Sequence, residues 1–155
     1  MIYLRFSIDS DFYGFEIEKI IEIVPWVSLR KIPGTPDYIP GIFKYRNLIV
    51  PVVDLTMLTT KRESKKILSS RITIVKYRKE HLLGLLMENV TDIADINTSP
   101  DALQEPGIKT DMDYMGNISV DAHNKMLQLV TIDNLLAEPV QKMIFASDIE
   151  EKICD

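Results

Sequence analysis

Side chains that could carry out covalent chemistry are few in this sequence and stand far apart. The two histidines, His81 and His123, lie in turn-like contexts (RKEHLL and DAHNKM), which is typical of surface loops. The single cysteine, Cys154, is next to the C-terminus and lacks the sequence signature of a nucleophile. None of these residues predicts nucleophilic or general-base catalysis.

Two acidic pairs, Asp111/Asp113 and Glu150/Glu151, have a type and spacing that can bind a hard cation or flank a substrate. No further ligand or catalytic partner accompanies them, so solvated surface charge is the simpler interpretation. Glycine-rich phosphate loops, the GxSxG elbow and HExxH are absent from the sequence. Because an active site needs convergent groups, the sequence predicts a binding protein with no metal or cofactor rather than an enzyme.

A basic tip interrupts the apolar stretch GIFKYRNLIVPVVDL, residues 41–55. Asn47 tolerates a left-handed backbone, so residues 44–47 are expected to form a tight turn or bulge between two strands. Arg46 has two interpretations. It either solubilises a hairpin, or it offers a fork of five donors to a partner's carboxylate or backbone carbonyls.

Length and composition indicate an ordinary globular protein. The chain has 155 residues, 46% of them apolar and 26% charged, which suits one domain that needs no disulfide or metal. The net charge of −5 argues against nucleic acid or an anionic membrane as the main partner. One cysteine, no secretory signal and no run of 18 apolar residues together favour a cytoplasmic location.

The dominant pattern is alternation of apolar and polar residues in short segments such as IYLRFSI, LIVPVVDL and RITIVKY. This predicts seven to ten short strands in barrels or a sandwich. Short helical turns are predicted at TPDYI, capped by Thr35, and after Asp54 and Asp133. Residues 59–66, TTKRESKK, are predicted to be a solvated connector or a disordered loop.

The sequence contains an internal repeat. GFEIEKIIEI (14–23) aligns with GLLMENVTDI (84–93), and YIPGI (38–42) with YMGNI (114–118). Each copy then continues into an apolar strand that ends in aspartate. We therefore predict two similar β units within residues 1–138, at about 1–60 and 70–138. A helical tail is expected over 139–155, with Phe145, Ile149 and Ile153 on one face.

These segments resemble the CheW-like family, the adaptor proteins of bacterial chemotaxis arrays. The resemblance covers about residues 1–137 and includes the upstream IEKIIEIVPWVSLRKIPGTPDYIPGI and the later RITIVKYRKEHLLGLLMENVTDI and DYMGNISVDAHNKMLQLVTIDNLL. Residues matching the family pattern are Ile20, Glu22, Ile23, Pro33, Gly41, Arg46, Pro51, Val52, Asp54 and Leu55. Lys44, Tyr45 and Asn47 depart from it at the partner-facing tip.

The resemblance implies an all-β fold of two SH3-like five-stranded β-barrels packed side by side, with short capping helices and a possible C-terminal helix. It implies a non-catalytic adaptor that couples methyl-accepting chemoreceptors to a CheA-type histidine kinase, at receptor arrays on the inner face of the membrane. The kinase would be bound through its own CheW-like regulatory domain. The receptor's cytoplasmic tip would lie in a groove between the barrels, at or near Ile20, Glu22, Gly41 and Arg46.

Several alternatives stay open at this point. The protein could be a small β-barrel peptide- or oligonucleotide-binding module outside chemotaxis, or a hydrolase that uses Asp111 or Asp113. Ile20 could be a core residue, Glu22 a solvent-facing strand residue, and Gly41 a residue that only permits a turn. Trp26 could be an interface anchor or a partly buried core residue.

Overall fold

Alternating apolar segments form ten strands in the part of the chain that the computed structural model describes, residues 1–78, 80–96, 112–121 and 123–145. The strands are β1 Ile2–Ile8, β2 Asp11–Glu16, β3 Ile20–Pro25, β4 Gly41–Tyr45, β5 Leu48–Asp54, β6 Arg71–Tyr77, β7 His81–Met87, β8 Asn89–Asp95, β9 Met115–Val120 and β10 Met126–Val130. Helices are short: α1 Leu55–Thr60, α2 Glu138–Ile144, and 3-10 turns over Ile17–Lys19 and Ile132–Asn134.

The strands form two five-stranded sheets with equivalent topologies. The first sheet has the order β8-β1-β2-β10-β9, and the second has the order β3-β6-β7-β5-β4. The chain crosses between them twice, from β2 to β3 and from β7 to β8. The expected all-β fold with two five-stranded units is confirmed. The strand exchange, which the sequence pattern does not specify, places the β1–β2 and β6–β7 hairpins each among strands of the other sequence repeat.

The two aligned glycines of the repeat occupy equivalent positions. Gly14 lies opposite Leu129 in the parallel pair of β2 with β10, and Gly84 lies opposite Val52 in the parallel pair of β7 with β5. A Cβ at Gly14 would lie 3.1 Å from Leu127, and one at Gly84 would lie 2.9 Å from Ile72. Glycine is therefore favoured at both sites by close packing inside each barrel.

One apolar cluster joins both sheets. It contains Phe6 and Phe15 from the first sheet and Tyr77 and Leu85 from the second, all at 0–1% exposure. Leu135, Leu136 and Val140, from the segment that follows β10, belong to the same cluster. Smaller clusters fill each barrel separately, around Leu127 in the first and around Ile72 in the second. The sheets are thus held together by burial of a shared core.

Residues 59–66 link the two repeats and are mostly exposed, as predicted for a solvated connector, but they are ordered and do not form a disordered loop. Ser64 is buried, and its amide and hydroxyl both donate to the Asp54 carboxylate. Arg62 forms ion pairs with the buried Glu88 at 2.7 Å and with Asp9 at 2.9 Å. Arg62 thus ties this segment to the β1–β2 turn through Asp9 and to the β7–β8 crossover through Glu88.

The predicted helical turns have different outcomes. Asp54 caps α1 as expected, because its carboxylate accepts from the amides of Thr56 and Met57. At TPDYI the structure has only a turn, and the Thr35 hydroxyl donates to the Ile32 carbonyl instead of capping a helix. Asp133 makes no cap either, because its side chain accepts from the Arg78 amide and pairs with Lys19. In the predicted tail, α2 ends at Ile144, and Ile149 and Ile153 lie outside the described residues.

Arg5 is a buried cation of the first sheet. Its guanidinium donates to Asp92 of β8 and, at 2.7 Å, to the buried Asp121. Hydrogen bonds from Arg5 lower the pKa of Asp92. Burial alone would raise the pKa of Asp121, but the His123 and Lys125 amides and the Arg5 charge bring it below its ordinary value. The edge strand β8 is thus tied through Arg5 to the turn after β9.

We expect Arg5→Met to lower the free energy of unfolding at pH 7 by about 3 kcal/mol, because Asp121 would keep its burial and lose its cation. Both carboxylates titrate lower in the folded chain, so their stabilisation is present above the unfolded pKa of roughly 3.9 and is lost as the pH falls. The difference between parent and variant should therefore shrink below about pH 4. Urea unfolding at several pH values measures this difference in unfolding free energy. Lys76→Met is the control, because Lys76 is an exposed cation. A constant difference from pH 7 to pH 3 would contradict this account.

Candidate protein-binding site

Arg46 lies at the tip of the β4–β5 hairpin. Tyr45 pairs with Leu48, so Arg46 and Asn47 are the two central residues of the turn. Their φ angles are 47° and 66°, which is the left-handed geometry of a type I′ hairpin turn. This conformation costs a non-glycine residue about 1–2 kcal/mol, least for asparagine. Both side chains are exposed, so the turn displays the guanidinium on a short and well-defined loop.

Glu22, Tyr45 and Arg46 form one cluster. The Arg46 guanidinium carbon lies 5.1 Å from the centre of the Tyr45 ring, a cation–π arrangement. The buried Tyr45 hydroxyl approaches the Glu22 carboxylate outside ordinary hydrogen-bond geometry, and this carboxylate raises the pKa of Tyr45. Because β3 and β4 end the hydrogen-bonded order of the second sheet, this contact joins its two edges. Two of the four predicted site residues therefore lie together.

Gly41 is held by its backbone environment. It is buried with φ 154°, and the neighbouring Ile42 exchanges two backbone hydrogen bonds of 2.9 Å with Arg30. A Cβ on Gly41 would lie 2.5 Å from the Arg30 carbonyl oxygen. Close approach of two backbone segments is sufficient to require glycine here, and no side-chain surface is involved.

Ile20 is the first residue of β3 and packs half-buried against the shared core. The opposite phase of the strand is the exposed one, with Ile21 at 39% and Ile23 at 40%. Sequence analysis named Ile23 only as a match to the family pattern and did not single out Ile21, because IIEIV has aliphatic residues in both phases of its alternation. Only the register with β6, which shifts between Ile20 and Glu22, decides which phase faces outward.

An apolar groove of about 550 Å³ lies on the outer face of the β4–β5 hairpin. One wall contains Leu48 and Ile49, at 53% and 71% exposure, directly after the Arg46–Asn47 turn. Met143 at the end of α2 and Phe145 directly after it line the groove as well. Exposed apolar side chains around a concavity are typical of a protein-binding surface. The four predicted residues do not line the groove, but its wall continues from the hairpin that carries Arg46.

A second apolar surface surrounds the turn at residues 67–70, here called the Leu68 turn. Leu68 is 97% exposed and Ile67 is 49% exposed. The turn is well fixed by hydrogen bonds. The Ser70 amide donates to the Ile67 carbonyl, and the Ser70 hydroxyl accepts from the Ile67 amide. Arg71 donates to the Leu68 carbonyl. Lys66 and Arg71 flank it, together with Trp26, over whose ring Lys66 lies at 5.3 Å.

The Trp26 ring packs half-buried against the small core cluster of the second barrel, which supports a partly buried core residue more than an isolated anchor.

Among the described residues, no group of three or more His, Cys, Asp or Glu could hold a metal ion. Asp111, Glu150, Glu151 and Cys154 lie outside the described residues, so the interpretations given for them stay predictions. No helix in the described ranges is long and apolar enough to cross a bilayer.

The protein has two β-barrels that exchange hairpins, share a core and display two apolar surfaces. This architecture is that of a protein-binding module. Residues 3–140 match the CheW-like domain family, and the chain therefore belongs to that family. The protein "Chemotaxis protein CheW" of Bacillus subtilis is 23% identical over 131 residues, 84% of this chain and 83% of that protein. The protein of the same name from Klebsiella aerogenes is 24% identical over 143 residues, 92% and 85% of the two chains.

A solved structure has the same fold. The crystal structure of "scaffolding protein TtCheW" from Thermoanaerobacter tengcongensis matches with a TM-score of 0.78 and 28% identity, over 92% of each chain. The family is one of scaffolds and adaptors. Together these similarities favour a chemotaxis adaptor over a peptide- or oligonucleotide-binding module outside chemotaxis.

We expect Gly41→Ala to lower the free energy of unfolding by about 2 kcal/mol, since the new methyl group would displace the Arg30 backbone at a strained φ. Gly34→Ala is the matched control, because Gly34 has φ 87° but no atom within 4 Å of the added Cβ. It should show only the smaller cost of the backbone conformation. Urea unfolding of both variants measures the difference. If Gly41→Ala were as stable as the parent, Gly41 would have to act at the surface instead.

Proposed function

We propose that this protein is a cytoplasmic, non-catalytic adaptor that couples chemoreceptors to a CheA-type histidine kinase in arrays at the inner face of the membrane. An adaptor needs at least two separate binding surfaces held in a fixed relation. The observation that carries the proposal is that the apolar groove and the Leu68 turn are distinct surfaces on one chain with a shared core. Family membership and the chemotaxis names of the relatives supply the biological context.

The apolar groove and the neighbouring hairpin tip are proposed to bind the receptor's cytoplasmic tip, which is helical. A helix that lays its apolar face in a groove needs exposed aliphatic side chains along the walls, as Leu48 and Ile49 provide. Arg46 would add orientation, because its planar fork pairs with carboxylates or with the free carbonyls at a helix end. The Tyr45 ring would hold the Arg46 guanidinium in place through the cation–π contact, and Glu22 would in turn contact Tyr45.

The Leu68 turn is proposed to bind the kinase's CheW-like regulatory domain, barrel against barrel. A side chain that is 97% exposed contributes nothing to the fold by its burial, yet the turn that presents it is extensively hydrogen-bonded. Such pre-organisation reduces the entropy lost on association. The flanking Lys66 and Arg71 favour a partner surface with carboxylates around an apolar depression.

The mechanism is scaffolding without bond chemistry. Holding receptor and kinase in one lattice lets a change in the receptor shift the population of active kinase. Each contact can be weak, because several contacts joined in one assembly raise the overall affinity. A pair with a micromolar dissociation constant, about −8 kcal/mol, is sufficient.

We expect Arg46→Ala to weaken binding of a receptor-tip fragment by about 1–3 kcal/mol, without a change in melting temperature, because the exposed guanidinium contributes to binding and not to folding. Lys44→Ala is the matched control, since Lys44 is an exposed cation on the same hairpin but outside the turn. Titration calorimetry of both variants compares them. Equal affinity of parent and Arg46→Ala would exclude the proposed role of Arg46.

We expect Leu68→Ser to weaken binding of the kinase regulatory domain at least tenfold and to leave receptor-tip binding within twofold of the parent, because Leu68 belongs to the second surface only. Leu48→Ser should show the reverse pattern. Binding of each variant to both partners tests the assignment. The assignment is contradicted if Leu68→Ser binds the kinase domain normally, or if one variant loses both partners equally.

A further inference from the structure

The wall that α2 gives to the apolar groove depends on anchoring outside the helix. α2 has seven residues, and a helix of this length is not stable on its own in water. Val140 is its one buried residue and fixes its middle in the shared core. The C-terminal end, which carries the groove-lining Met143, Ile144 and Phe145, therefore needs a separate attachment.

Phe145 provides this attachment through an aromatic stack with Tyr77 and His81. Its ring is stacked on His81 with centroids 4.0 Å apart and an interplanar angle of 13°, and on Tyr77 at 5.9 Å and 27°. Tyr77 and His81 are a cross-strand pair at the end of the β6–β7 hairpin. Phe145 thus lies against both members of one pair, at the position where the described helix ends.

The stack connects parts of the chain that belong to different sheets. The segment leading to α2 leaves β10 of the first sheet, whereas Tyr77 and His81 belong to the second. The same segment is held nearby by hydrogen bonds from the Arg78 amide and guanidinium to Asp133. Its path over the second sheet is therefore fixed at its start by Asp133 and at its end by Phe145.

We propose that the aromatic stack of Tyr77, His81 and Phe145 positions α2 as one wall of the receptor-binding groove. His81 and Phe145 are positioning residues for this surface, and the Leu68 turn does not depend on them. The inference rests on the proposed function, because it takes the receptor tip as the occupant of the groove. With the stack removed, the end of α2 separates from β7 and the groove opens on that side.

The experiment uses the full chain and two pairs of variants. Phe145→Ala removes the stack and His81→Ala removes its closer contact, whereas Phe145→Tyr and His81→Phe keep an aromatic ring at each position. We measure hydrogen–deuterium exchange of the amides of residues 140–145 without partner, and the dissociation constants for a receptor-tip fragment and for the kinase regulatory domain. The double variant Phe145→Ala/His81→Ala tests whether the two rings act as one unit.

In both alanine variants the α2 amides should exchange hydrogen for deuterium at least fivefold faster than in the parent. The exchange rates in β6 and β7 should be unchanged. They should bind the receptor tip at least fivefold more weakly and the kinase domain within twofold of the parent. The aromatic variants should behave as the parent, and the double variant should be no weaker than the worse single one. Unchanged α2 exchange in Phe145→Ala, or equal losses for both partners, would overturn the inference. If the parent itself fails to bind the receptor tip, the proposed function fails, while the exchange rates still decide whether the stack holds α2.

Discussion

The structure depends on one constraint: neither sheet has a complete core of its own. Each sequence repeat supplies five strands, but its first hairpin pairs with the other repeat's strands, and the chain passes between the sheets only twice. The largest apolar cluster contains side chains from both sheets. Moving one barrel relative to the other would expose residues that are now at 0–1% exposure, such as Phe15 and Leu85. Burial of apolar surface therefore fixes the relative orientation of the two barrels.

The charged network around the β7–β8 crossover follows from this constraint. Glu88 lies between β7 and β8, at the second crossover, and is buried. Burial alone would raise its pKa, but hydrogen bonds from Arg62 and from the Lys65 amide lower it. Arg62 also pairs with Asp9 in the β1–β2 turn, so one cation of the connector pairs with an acid from each repeat. A buried carboxylate at a crossover requires such a partner, and the connector that supplies it cannot be a free loop.

The sequence predicted the strands, the twin units and the hairpin tip because each has a local signature. Alternation marks the strands, the aligned glycines mark the repeat, and Asn47 marks the left-handed turn. The exchange of hairpins has no such signature, because the residue pattern of a strand does not determine which strand pairs with it. The order within the exposed connector could not be predicted for the same reason: the partners of Arg62, which are Asp9 and Glu88, are distant in sequence. Asp133 was mispredicted as a cap because its partners, Arg78 and Lys19, are also remote.

The candidate site shows the same division between local and distant information. The predictions for Glu22 and Arg46 came from a family pattern, and the structure adds Tyr45 as the contact between them. The groove is assembled from residues 32–39, the β4–β5 hairpin, the start of β7 and the end of α2, so no single segment carries its signal. A groove built from several segments of the fold suits a scaffold, because these segments hold the binding surface rigidly. An adaptor transmits a change between partners only if its own surfaces keep their relation while both are bound, and here the shared core holds the two barrels in a fixed relation through burial and packing.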